Sequence, residues 1–139
     1  MNNLILVRHG QSIFNLQRRF TGFYDVELTS KGESEAEFAG ELIKKLNIEF
    51  DAYFASQLMR ATKSLNIILK VLNKSNVDIN KAWELNERHY GGLTGLNKDE
   101  TIKKYGSDQV KIWRRSFDTP PPQMEANHPY KNKIKSKIL

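Results

Sequence analysis

The stretch "LILVRHGQS", residues 4–12, runs four apolar residues straight into an arginine, a histidine and a glycine. The run is short and rich in branched side chains, so it predicts a buried strand whose last residues emerge where Gly10 lets the backbone turn. His9 then sits at a strand end. Open α/β sheets place their chemistry there, because a side chain at a strand end reaches a crevice while the strand behind it stays rigid. Arg8 and His9 alone do not establish a site, since a histidine beside an arginine is commonly surface or core filler.

Outward from this strand the chain alternates. A loop-rich stretch with room for a short helix near Ile13–Gln17 leads to Ser30 and Glu33, which have capping-box spacing. Ala36, Ala39, Leu42, Ile43 and Leu46 then recur at three and four residues, predicting an amphipathic helix to about Leu46. "DAYFAS" (51–56) reads as a second strand. Ser56 is placed to cap a helix whose Leu58, Ala61, Leu65, Ile68 and Leu72 form one stripe, and "VDINKAWEL" (77–85) gives a third extended segment. Strand and helix alternating in this way predict an α/β fold with a mostly parallel sheet flanked by helices. "LNKDETIKKYG" predicts a helix capped by Asn97 and ended at Gly106, and "SDQVKIWRRS" another before "DTPPP" breaks regular structure. Residues 1–128 are expected to form one domain and 129–139 a basic tail of low order.

Composition narrows the function classes. The 139 residues are 39% hydrophobic and 27% charged, an ordinary globular balance. There is no cysteine, and His9, His89 and His128 show no close ligand spacing, so no metal centre is expected. No stretch approaches the roughly 18 apolar residues of a membrane span, and the N-terminus lacks the features of a signal peptide, so a cytoplasmic protein without a membrane partner is expected. The net charge of +6 suggests nucleic acid at first, but Lys131, Lys133, Lys135 and Lys137 supply four of those charges. Residues 1–130 carry 18 basic and 16 acidic groups of mixed order, so no nucleic-acid partner is expected.

The polar residues that follow apolar or turn-rich segments suggest a site. In a right-handed parallel sheet the carboxyl ends of successive strands point to one edge, which predicts that Arg8, His9, Arg60 and Glu87 converge. Arginine forks match phosphate oxygens, and a neutral imidazole among them is able to attack phosphorus and carry the phosphoryl group covalently. Positive neighbours would depress the imidazole pKa, and Glu87 is suited to shuttle a proton to and from a substrate hydroxyl.

"LVRHGQS", "RFTGFYDVELTSKG", "LMRAT", "LNERHYGGLTGLNKDET" and "WRRSFDTPPP" together closely resemble the cofactor-dependent (2,3-bisphosphoglycerate-dependent) phosphoglycerate mutases of the histidine phosphatase superfamily. "RHG" alone points only to the superfamily, whereas the ordered set, from Asn3 to His128, looks specific to the mutases. The resemblance implies that His9 is the phosphorylated nucleophile, that Arg8 and Arg60 hold the transferring group, and that Glu87 is the proton donor and acceptor. It implies substrate or phosphate contacts at Asn15, Thr21 and Gly22, and carboxylate and phosphate binding by Arg88, Tyr90, Lys98, Arg114 and Arg115. His89 matches a substrate-loop position. The implied cofactor is 2,3-bisphosphoglycerate, and the implied partner is a small phosphoglycerate substrate. Taken singly, Lys98, Arg114 and Arg115 read as a solvated helix face, and Glu87 as a surface carboxylate.

Departures from the pattern carry their own expectations. Gln11 stands where many relatives carry glutamate, and Gly91–Gly92 replaces glycine–alanine, which is expected to loosen the substrate loop slightly. Family members run on to a later strand ending in a second "HG", which His128, followed by proline, does not match. The chain is therefore expected to lack one wall of the phosphoryl pocket and to turn over far below full-length relatives. A phosphomonoesterase of the same superfamily would lack the "NERHYG…K" and "WRR" groups, and a non-enzymatic anion-binding protein is supported only by the lysine tail. A homo-oligomer is compatible with the sequence, which does not specify oligomeric state.

Overall fold

The computed structural model describes residues 3–134. In chain order its helices are α1 (Ile13–Leu16), α2 (Ser30–Lys45), α3 (Met59–Val71), α4 (Lys98–Tyr105) and α5 (Ser107–Arg115), and its strands are β1 (Tyr53–Ser56) and β2 (Ile79–Ala82). They fall into two units, one built from residues up to Ser12 with Glu27–Leu85, the other from Ile13–Val26 with residues from Asn86 onward.

The first unit is a β–α–β arrangement. β1 and β2 pair in parallel with Tyr53 opposite Ile79 and Ser56 opposite Ala82, and α3 connects them, as the alternating pattern predicts. α2 packs on α3. Thr29, not Ser30, caps α2: its Oγ1 accepts from the Gly32 N–H at 3.1 Å, and Glu33 pairs with Lys63 of α3 instead of closing a capping box. The buried line of α2 is Gly32, Ala36 and Gly40, while Leu42 and Leu46 of the expected stripe are exposed. Small residues at fourfold spacing let α3 approach closely. A Cβ on Gly40 would lie 2.9 Å from the Val71 Cβ.

The face of α3 is likewise rotated from expectation. Leu58 and Ile68 are buried, but Arg60 and Ser64 share the deepest line with Ile68. Leu58 occupies the N-cap position without a side-chain cap, and Ser56 Oγ accepts from the Leu58 N–H at 3.3 Å.

The expected first strand is not formed. Residues 4–7 join no ladder among the described residues, and Leu4 and Leu6 are 81% and 85% exposed. An apolar run becomes a buried strand only where a neighbour supplies both ladder hydrogen bonds and cover, and a sequence window contains neither.

The second unit is held by long-range backbone pairing and an aromatic core. The Phe20 N–H donates to the Leu96 carbonyl at 3.0 Å, and the Gly95 N–H to the Phe20 carbonyl at 2.8 Å. Phe20, Tyr90, Leu93 and Val110 form the core, with Ile102 of α4 and Trp113 of α5 packed against it. Asn97 caps α4 as expected, its Oδ1 accepting from the Asp99 and Glu100 N–H groups at 2.9 and 3.1 Å. Gly106, at φ +84°, separates α4 from α5.

The Gly91–Gly92 pair is gripped rather than loosened. Gly91, at φ +53°, would place a Cβ 2.2 Å from the Pro122 carbonyl oxygen, and the Gly92 N–H donates to that oxygen at 2.7 Å. Residues 129–134, expected within a low-order tail, contain a 3-10 turn at Lys131–Lys133 and a buried Ile134. Tyr130 stacks edge-on against Tyr24 and Phe14, with ring centroids 4.6 and 5.9 Å away, apolar contacts that the lysine pattern masks. Residues 135–139 of the expected tail lie outside the described residues. No helix among the described residues is long and apolar enough to cross a membrane.

Candidate active site

The site is built up from the turn after residues 4–7. Gly10 is buried where the loop meets the first turn of α2: a Cβ there would lie 2.0 Å from the Gly32 carbonyl oxygen, and one on Gly32 would lie 2.1 Å from the Gln11 carbonyl oxygen. Two glycines are therefore needed to bring the loop onto the helix. Hydrogen bonds hold the approach. The Gln11 N–H donates to Glu35 Oε2 at 2.8 Å, the Thr29 N–H donates to the Gln11 carbonyl at 2.9 Å, and Thr29 Oγ1 donates to Gln11 Oε1 at 2.9 Å.

This anchored loop fixes His9. The ring Nδ1 lies 2.7 Å from the Gly10 carbonyl oxygen, which only accepts, so Nδ1 carries the proton. Arg60 Nε lies 3.3 Å from His9 Nε2, and because arginine only donates, Nε2 presents a lone pair. The two contacts select one neutral tautomer, a nucleophilic nitrogen facing a cation. Arg60 is 1% exposed, so its charge acts at low dielectric. Arg8, on the same loop, is exposed.

The remaining expected site residues belong to the second unit. Asn15 lies in α1 and its carbonyl accepts from the Arg18 N–H at 3.1 Å. Thr21 is buried, and Gly22, at φ +56°, lies where a Cβ would come within 2.9 Å of the Arg88 carbonyl oxygen. Glu87 is half-buried. The Arg88 guanidinium donates to the carbonyls of Trp113 and Ser116 at the end of α5. Tyr90 is buried against Phe20, with centroids 5.0 Å apart.

His89 accepts from the Gly91 N–H at 2.8 Å through Nδ1, and its ring lies edge-on to Phe23. Burial pushes its pKa below the usual histidine value. Lys98 Nζ stands 5.9 Å from the Phe20 ring centroid. Arg115 is exposed at the end of α5, whereas Arg114 Nε is buried and, among the described residues, has no hydrogen-bond partner. His128, unmatched to a second catalytic histidine, spends both ring nitrogens on backbone, Nε2 on the Gly92 carbonyl and Nδ1 on the Tyr130 N–H.

Sequence reasoning missed the parts that hold the nucleophile: Thr29, Gly32, Glu35 and Ser64. Ser64 was legible in principle, since it stands four residues after Arg60 and a helix stacks such positions on one face.

A loop-borne histidine with a selected tautomer faces an arginine of α3 within an α/β unit, and the chain belongs to the histidine phosphatase superfamily (branch 1), matched over residues 4–138. It is 54% identical over 129 residues to the 2,3-bisphosphoglycerate-dependent phosphoglycerate mutase of Hamiltonella defensa subsp. Acyrthosiphon pisum, covering 93% of this chain and 52% of that protein. The mutase of the same name from Sphingopyxis alaskensis is 55% identical over 126 residues, covering 91% and 55%. The expected resemblance to these mutases is thus borne out, and the chain spans about half the length of the curated relatives it matches. Among solved structures it resembles the phosphoglycerate mutase of Bacillus anthracis at 26% identity and a TM-score of 0.62, covering 73% of this chain and 51% of the other. A mycobacterial glucosyl-3-phosphoglycerate phosphatase shares the fold at 24% identity and a TM-score of 0.69, covering 81% and 53%.

Proposed function

We propose that the chain carries the phosphohistidine half-reaction of a 2,3-bisphosphoglycerate-dependent phosphoglycerate mutase, which interconverts 3- and 2-phosphoglycerate in the cytoplasm. The observation that carries this reading is the contact of Arg60 Nε with His9 Nε2 at 3.3 Å, combined with the Nδ1 contact to Gly10. The orphaned, buried Nε of Arg114 and the cationic set Lys98, Arg114 and Arg115 suit an anionic phosphoglycerate.

The bisphosphate, when bound, supplies the phosphoryl group. His9 Nε2 would be the atom that takes the phosphoryl group in exchange for the donor's ester oxygen, and Glu87 the group that would give that oxygen its proton and regain it on the return transfer. Arg8 and Arg60 neutralise the phosphoryl charge in transit, where catalysis is mainly positioning and electrostatics. Arg88, His89, Tyr90, Lys98, Arg114 and Arg115, with Asn15, Thr21 and Gly22, orient the carboxylate and phosphate ends.

Incubation with 32P-labelled 2,3-bisphosphoglycerate is expected to give an acid-labile label that is lost in His9→Ala and retained in His128→Gln. Equal incorporation in the wild type and His9→Ala overturns the assignment.

A further inference from the structure

We propose that Ser64 is a positioning residue that sets the tautomer and aim of His9, an inference that deepens the phosphohistidine reading and rests on it for its catalytic meaning. Ser64 is 4% exposed on α3, one turn beyond Arg60. Its hydroxyl donates to the Arg60 carbonyl at 2.8 Å, a back-bond ordinary for serine in helices. The same oxygen also accepts from the Gly10 N–H at 3.2 Å, a residue 54 positions away.

That second bond closes a ring. His9 Nδ1–H donates to the Gly10 carbonyl, the Gly10 N–H to Ser64 Oγ, the Ser64 hydroxyl to the Arg60 carbonyl, and Arg60 Nε–H to His9 Nε2. Each of the four donor–acceptor senses is fixed by a group that only donates or only accepts: the Gly10 carbonyl, the Gly10 N–H, the Arg60 carbonyl and the Arg60 guanidinium. The ring therefore runs in one direction only, and that direction demands the Nδ1–H tautomer.

Ser64 couples two residues that touch the imidazole, because it holds both Gly10 and the backbone of Arg60. Without its hydroxyl the Gly10 N–H is buried and unsatisfied, and the loop is no longer tied to α3 at this point. The Gly10 carbonyl and the Arg60 guanidinium then lose their common reference, and the ring is free to exchange protons between its nitrogens.

The test uses the full chain and two readouts. The first is the pair of imidazole 15N shifts of His9 without phosphate present, assigned by their loss in His9→Ala; the second is the rate of acid-labile labelling from 32P-labelled 2,3-bisphosphoglycerate. Ser64→Ala is expected to move the two 15N shifts toward one another and to slow labelling about five- to tenfold, the worth of one such hydrogen bond. Ser64→Thr, which keeps the hydroxyl, is expected to restore both. If circular dichroism shows Ser64→Ala to be unfolded, Ser64→Cys, which keeps the volume and weakens both bonds, must move the shifts in the same direction. Wild-type shifts in the folded Ala or Cys variant, or a Thr variant that behaves like Ala, overturn the inference. If no variant takes label while the shifts still respond, the phosphohistidine reading fails and the positioning role stands. If label forms and the shifts stay fixed, the reverse holds.

Discussion

Replacing Gly10 by alanine tests the anchoring of the nucleophile loop most directly. Gly10 is not among the residues of positive φ, so the cost is steric rather than conformational. The added Cβ would lie 2.0 Å from the Gly32 carbonyl oxygen, where ordinary contact begins at 3.4 Å, so loop and helix must part by about 1.4 Å. A displacement of that size breaks hydrogen bonds made at 2.8 to 3.2 Å, among them Gly10 to Ser64 and Gln11 to Glu35. At about 1 kcal/mol for each bond, the loss of two or three destabilises the first unit by about 2–3 kcal/mol. Urea denaturation followed by circular dichroism is expected to show the midpoint falling with the slope unchanged. Gly32→Ala pushes on the same approach, so the double variant is expected to lose less than the sum of the singles. A Gly10→Ala midpoint equal to wild type, or strict additivity with Gly32→Ala, refutes the reasoning.

Two further outcomes follow from the second unit. Burial lowers the His89 pKa, so the unfolded chain binds this proton more readily than the folded one; the contribution is fully present above the usual histidine range and is lost as pH falls through the lowered folded value. Thermal melts between pH 7.5 and 5 are expected to show falling stability that is shallower in His89→Gln, and identical slopes count against it. Asn97→Ala removes the acceptor for two N–H groups of α4 and is expected to cost about 1 kcal/mol in urea denaturation, with Asn97→Asp close to wild type.

Much of the fold was legible because it is encoded locally. Asn97 and Gly106 bracket α4 by cap chemistry that depends on neighbours two or three residues away, and β1 and β2 pair in parallel as the alternating pattern requires. What failed depended on partners outside the sequence window. Leu4 and Leu6 carry the pattern of a buried strand yet are exposed, because burial is a property of the neighbour as much as of the residue. The expected stripes share Ala36 and Ile68 with the observed ones but run on to Leu42 and Leu46 or through Ala61 and Leu65, whereas the buried lines are completed by Gly32 and Gly40 on α2 and by Arg60 and Ser64 on α3. His9 and Arg60 are both legible from chemistry and motif, and their side chains meet at 3.3 Å. The Gly10–Ser64 link was not, since a backbone amide has no side-chain signature.

The pairing of Phe20 with residues 95 and 96 has a consequence for how the chain reaches its native state. Arg19 and Gly95, bonded beside that pairing, are 76 residues apart. Closing a free loop of that length costs about 4 kcal/mol of chain entropy beyond a constant term, before any contact in the second unit is formed. The Glu27–Leu85 segment lies wholly within this loop and makes its own helix–helix and strand–strand contacts. Once folded, it replaces much of the free loop, so the cheaper order is for β1, α3, β2 and α2 to assemble first. Ile13–Val26 emerges early during synthesis from the N-terminus but must wait, Phe20 without Tyr90 and Phe23 without His89, until the chain beyond Asn86 is available.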